Sequence, residues 1–81
     1  MKVKLSPKVR KYVDGLNQPL QGRIRAALLK LEQEPPQGDI KAMGGKDGFR
    51  LRVGGYRILF DMTSFIYVYG IGLRGQIYKK R

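Results

Sequence analysis

Residues 48–60 read GFRLRVGGYRILF, and they place Arg50, Arg52 and Arg57 among apolar neighbours with no acid inside the stretch. In an extended strand, residues two apart share a face. Phe49, Leu51 and Val53 therefore point to one side, and Arg50 and Arg52 to the other. Gly54-Gly55 is a tight-hairpin signal. On the returning strand Tyr56, Ile58 and Phe60 form the apolar set, so Arg57 joins the first two arginines on the open face. Arg74 follows just past the next apolar run. Four guanidiniums are expected to converge on one surface. Cations held close together repel, and such a cluster is suited to receiving an anion. The planar guanidinium fork matches phosphate oxygens.

One chemistry open to such a face is RNA cleavage. The ribose 2′-hydroxyl is a built-in nucleophile, so neither a metal nor a cofactor is required. The protein must align that hydroxyl with phosphorus. It must stabilise the extra charge on the phosphorane. It must also take one proton from the hydroxyl and give one to the departing 5′-oxygen. The chain has no histidine and no cysteine. Proton transfer then falls to tyrosine, lysine, arginine or an acid, and thiolate or imidazole metal sites are excluded. Tyr78 is the notable candidate, with Arg74, Lys79, Lys80 and Arg81 nearby to favour its phenolate. The plainer role for Tyr78 is aromatic packing on the sheet. The acids Asp14, Glu32, Glu34, Asp39, Asp47 and Asp61 are scattered, without metal-ligand spacing. Asp61 is expected in a salt bridge to a nearby arginine.

The 81 residues allow one domain, and a chain this short buries a thin core. The formal net charge is +11, from 17 basic and 6 acidic residues. A surplus of that size points to a polyanion, an acidic protein partner, or both. No apolar run approaches a membrane span, and the N-terminus lacks a signal-peptide core. The expected compartment is the cytoplasm, with no membrane partner.

These residues need elements to position them. Residues 1–5, MKVKL, alternate as a half-buried strand does. Ser6-Pro7 is a helix-start signal, and the helix should run to about Asp14 and end at Gly15. Asn17-Gln18-Pro19 restarts helix, with Leu20, Ile24, Leu28 and Leu31 near one stripe and Ala27 beside it. Arg23, Arg25 and Lys30 lie off that stripe. Pro35-Pro36 stops the second helix. Residues 40–43 form a short strand or turn. Strands are expected at 49–53, 56–62 and 65–71. GIGLRG at 70–75 matches G-x-G-x-x-G, but no βαβ unit surrounds it, so the glycines are expected to ease a strand end into a bend. The fold class is α+β: an N-terminal strand and a two-helix hairpin packed on a small antiparallel sheet.

FRLRVGGYRILF followed by YVYGIGLRGQIY resembles the RelE/ParE superfamily of toxins, whose members share this length and a β-α-α-β-β-β order. The resemblance spans residues 1–81 in layout, as a single toxin domain, with specific matches between Phe49 and Tyr78. It implies a RelE-like ribonuclease that cuts messenger RNA in the ribosomal A site. Arg50 and Arg52 then position the phosphate, Arg57 binds the scissile phosphate, Arg74 is general acid or charge stabiliser, and Tyr78 is the base. Lys46 adds a phosphate contact. The resemblance further implies a small antitoxin as partner, acidic in its binding segment. The chain departs from the family in having arginine at positions 50 and 52, where lysine is frequent, and Leu73 before the late arginine. The Arg74-to-Tyr78 spacing is also short. The same fold carries a ParE-like branch that poisons DNA gyrase by protein contact. Its members generally lack the full arginine-plus-tyrosine set. A third reading is an inactive toxin fold that only binds nucleic acid.

Overall fold

The computed structural model describes residues 1–43 and 48–74. Seven elements follow in order: β1 (Val3–Leu5), α1 (Pro7–Asp14), α2 (Leu20–Lys30), β2 (Asp39–Ala42), β3 (Phe49–Val53), β4 (Tyr56–Met62) and β5 (Ile66–Leu73). The architecture is α+β, as expected, with one more strand because residues 39–42 pair with β3 instead of turning. The strand order is β1-β5-β4-β3-β2. The sheet is antiparallel from β2 to β5, and β1 adds to it in parallel beside β5. The β1–β5 contact makes the sheet mixed where an antiparallel one was expected. A parallel neighbour needs a long crossover, and the two helices lie in the chain between β1 and the rest of the sheet.

Local signals account for both helices. The Ser6 hydroxyl accepts the Val9 amide at 3.1 Å, and Pro7 fills the first helical position. Gly15 ends α1 at φ −86°, outside the left-handed region, with its amide donating to the Lys11 carbonyl at 3.1 Å. For α2 the Gln18 side chain substitutes for a short capping residue: its Oε1 accepts the Gly22 amide at 2.9 Å. The helix ends at Lys30, before the Pro35-Pro36 pair that was expected to stop it. Leu31, Glu32 and Gln33 instead tighten into bonds back to residues 28, 29 and 30. This carries Leu31 into the core and lets the Glu32 carboxylate accept the Val3 amide at 2.8 Å.

The core lies between the helices and one face of the sheet. Val9 and Val13 of α1 meet Ile24 and Leu28 of α2, Leu31, and the sheet residues Leu51, Ile58, Phe60, Ile66 and Val68. Each such side chain contributes about 1.5–3 kcal/mol on burial. Phe49 and Phe60 stack across β3 and β4 with ring centroids 5.4 Å apart. Leu20 and Val53, on the apolar sides of their elements, are only partly buried at its margin, as is Leu5 of the half-buried first strand. With the helices on this side, the other face of β2, β3 and β4 carries no helix. The Gly54-Gly55 pair forms the predicted turn, and Gly54 takes a left-handed φ of 59° that a side chain would resist. No helix among the described residues is long and apolar enough to cross a membrane.

Candidate functional site

Alternation puts the basic residues on the helix-free face, and strand register decides which ones meet. One row across the sheet reads Asp39, Arg52, Arg57, Gly72; the next reads Lys41, Arg50, Leu59, Gly70. Arg52 and Arg57 are therefore direct cross-strand neighbours, and Arg50 stands one row away from them. Arg74 follows β5 in a turn, and its backbone amide donates to the Gly55 carbonyl at 3.1 Å. That bond ties Arg74 to the same hairpin turn that Arg52 and Arg57 flank. Arg50, Arg52 and Arg57 thus share the helix-free face, and Arg74 is tied by its backbone to the turn at its end. Lys46 and Tyr78 lie outside the described residues.

The arginines are in different electrostatic states. Arg52 Nε lies 3.4 Å from Asp39 Oδ2, in a pair that is about half exposed on both sides. This acid was not visible beside the arginines in the sequence, because it arrives from a neighbouring strand. Arg57 is only 6% exposed. Its Nη1 makes a long bond of 3.4 Å to its neighbour's carbonyl at Tyr56, and its Nε is buried with no hydrogen-bond partner among the described residues. A buried charged donor left unpaired costs more than an exposed one. The Tyr56 side-chain hydroxyl is in turn hydrogen-bonded to that of Tyr12 of α1. Burial, and then the Tyr56 phenol beside it, raise the Tyr12 hydroxyl above its ordinary value near 10.

Gly70 and Gly72, expected to ease a strand end into a bend, lie inside β5 instead. The register between β4 and β5 shifts between Leu59 and Phe60: Leu59 pairs with Gly70 and Phe60 with Val68, so Tyr69 is an extra residue. Past this bulge, Ile71 pairs with Ile58 and packs against the core, while Gly70 and Gly72 fall on the open face. Gly72 stands opposite Arg57. The row that holds Arg57 therefore has no side chain on its β5 side. At the other end of the face, a Cβ on Gly48 would stand 3.2 Å from Tyr69 Oη and 3.4 Å from Asp61 Oδ1. Gly48 holds φ 145°, where a side chain would be strained, and its bare Cα lets both come close. Asp61 forms no ion pair among the described residues, contrary to the salt bridge expected for it.

Two residues of this face were missed in the sequence. Lys41 pairs with Arg50, and the alternation of Asp39-Ile40-Lys41 could have shown it once those residues were taken as a strand. Tyr69 had no local signal, since a bulge is decided by the partner strand. Among the described residues no three histidine, cysteine, aspartate or glutamate side chains gather as metal ligands. The arrangement is suited to binding a phosphodiester: a buried guanidinium whose Nε has no partner among the described residues, a second guanidinium beside it, and a glycine in place of a side chain opposite.

Among solved structures, the chain is similar to a chain in the crystal structure of the RelB-RelE antitoxin-toxin complex from Methanococcus jannaschii. The match has a TM-score of 0.74 at 22% identity and covers 91% of this chain and 93% of that one. At that identity the likeness is one of fold, and the RelE-like fold expected from the sequence is the one found. No family model matches the chain, and no curated protein matches it significantly.

Proposed function

We propose that the chain is a RelE-like toxin, an endoribonuclease that cuts messenger RNA without a metal ion, with the ribosomal A site as its setting. The observation that carries this reading is Arg57, a buried guanidinium whose Nε has no partner among the described residues, set beside Arg52 with only a glycine, Gly72, opposite it on β5. A phosphodiester over the Arg52–Arg57 pair would neutralise both charges at once. In the reaction the 2′-oxygen forms a bond to phosphorus as its proton is removed. The bond from phosphorus to the 5′-oxygen breaks, and that oxygen receives a proton. The products are a 2′,3′-cyclic phosphate and a free 5′-hydroxyl. Arg57 holds the scissile phosphate and stabilises the phosphorane. Arg50, Arg52 and Lys46 hold the strand by its phosphates. Tyr78 takes the 2′-proton, and Arg74, fastened to the turn by its backbone, stabilises charge at the leaving oxygen or donates the proton there.

The similar solved chain comes from an antitoxin-toxin complex. By extension, the protein partner of this chain is a small antitoxin with an acidic segment, which the +11 charge favours. The unit is one toxin domain acting in the cytoplasm. The test is to induce the chain in growing cells, map new messenger RNA ends, and assay gyrase supercoiling in parallel. New ends with unchanged supercoiling support the ribonuclease. Inhibited supercoiling without new ends would establish the ParE-like action instead.

A further inference from the structure

The cationic surface does not stop at the hairpin. Arg23 belongs to α2, in the helix layer on the opposite side of the sheet from the arginine row. Yet its Nη2 lies 3.6 Å from where a Cβ on Gly54 would stand, so the side chain reaches the same turn from the other side. Beside it, a cleft of about 320 Å³ opens between α2 and the β2–β3 edge, with Arg23, Lys30, Asp39 and Arg52 among its walls. Its one acid, Asp39, is engaged by Arg52. Arg23 and Lys30 have no side-chain hydrogen bond or ion pair among the described residues. Arg52 borders both the open face and the cleft, which makes them continuous.

We propose that the RNA strand held on the open face continues over the Gly54-Gly55 turn into this cleft, where Arg23 and Lys30 take a neighbouring phosphate. The inference rests on the ribonuclease reading and adds the path of the strand. Three features favour RNA over an acidic peptide. The cations succeed one another from Arg57 to Arg52 to Arg23 to Lys30, as the phosphates of one strand would require. The cleft adjoins the site proposed for the scissile phosphate. Its apolar wall is the small Ala26 and Ala27, the half-buried Val53 and the buried Leu51, with no exposed large apolar side chain to anchor a peptide.

The experiment measures binding of a tetranucleotide and a dodecanucleotide RNA, made uncleavable by 2′-O-methyl groups, across a salt series. The proteins are the wild type, Arg23→Ala/Lys30→Ala and Arg57→Ala. Both replaced cleft residues are exposed, so the double variant should keep its melting temperature, and Arg23→Gln/Lys30→Gln repeats the test with longer side chains. The expected result is that the double variant binds the tetranucleotide as the wild type does but the dodecanucleotide about five- to tenfold more weakly. Its log affinity against log salt should be shallower by ~0.7 for each phosphate that is no longer neutralised. Wild-type affinity for both lengths in the double variant, with Arg57→Ala weakened, overturns the path and leaves the ribonuclease reading standing. The same overturning follows if the double variant keeps its RNA affinity and loses a glutamate-rich peptide. Failure of the wild type to bind either RNA also overturns the path, and the mapping of messenger RNA ends then decides the ribonuclease reading separately.

Discussion

Arg52 and Arg57 are Cα partners across the β3–β4 hairpin, one pair removed from its turn. Like charges directly opposite in a sheet oppose folding by roughly 0.2–1 kcal/mol. Arg52 is relieved by Asp39 at 3.4 Å, and Arg57, the more buried of the two, has no acid against it among the described residues. The pair is thus a local cost to the fold that an anion would remove.

Stability should reveal that cost. Arg57→Met keeps an unbranched stem and removes the unpartnered donor. We expect it to raise unfolding free energy by about 1–2 kcal/mol, because a buried polar group without a partner costs on that order. Urea midpoints with unchanged slope would measure it. A destabilised Arg57→Met protein would mean that Arg57 is already satisfied in the free chain.

Asp39 should act as a brake on anion binding. Asp39→Asn frees Arg52 without changing the shape of the strand. The pair is about half exposed, so stability should move by less than ~1 kcal/mol. Affinity for single-stranded RNA at low salt should rise severalfold, and the rise should vanish at high salt. Fluorescence anisotropy at two salt concentrations tests this, and unchanged affinity at low salt would show that Asp39 does not compete with the ligand.

The Tyr12 hydroxyl gives a pH signature of the helix–hairpin contact. Its value is raised in the fold by burial first and by Tyr56 second. The folded protein therefore holds that proton more tightly than the unfolded chain does. The stabilisation is fully present below the unfolded value near 10 and is lost as pH rises past it through the raised folded value. Wild type should lose stability above pH ~10 more steeply than Tyr12→Phe. Parallel pH–stability curves for the two proteins would contradict the assignment.

How much of this was legible in the sequence depended on how local each feature was. Ser6-Pro7 and Gly54-Gly55 act within a few residues, so α1 and the hairpin were read correctly. The shared face of Arg50, Arg52 and Arg57 followed from period-2 alternation. The parallel seat of β1 beside β5, the acid that Asp39 brings to Arg52, and the bulge at Tyr69 all depend on strands distant in sequence. That bulge is why Gly70 and Gly72 could not be placed opposite the arginine rows. Arg23 lies off the apolar stripe of α2, and nothing in a helical repeat says that an off-stripe side chain reaches a turn in another layer.

The most direct measurement of the central claim is single-turnover cleavage of messenger RNA on programmed ribosomes across a pH series, with wild type, Arg57→Ala and Tyr78→Phe. Arg57→Ala should lose ~100- to 1,000-fold in rate, as expected for one group removed from transition-state charge, and should keep the wild-type rise with pH because its base is intact. Tyr78→Phe should fall ~100- to 10,000-fold and lose that rise. Cleavage by Arg57→Ala at near the wild-type rate would contradict the account, since the buried guanidinium would then have no part in the chemistry.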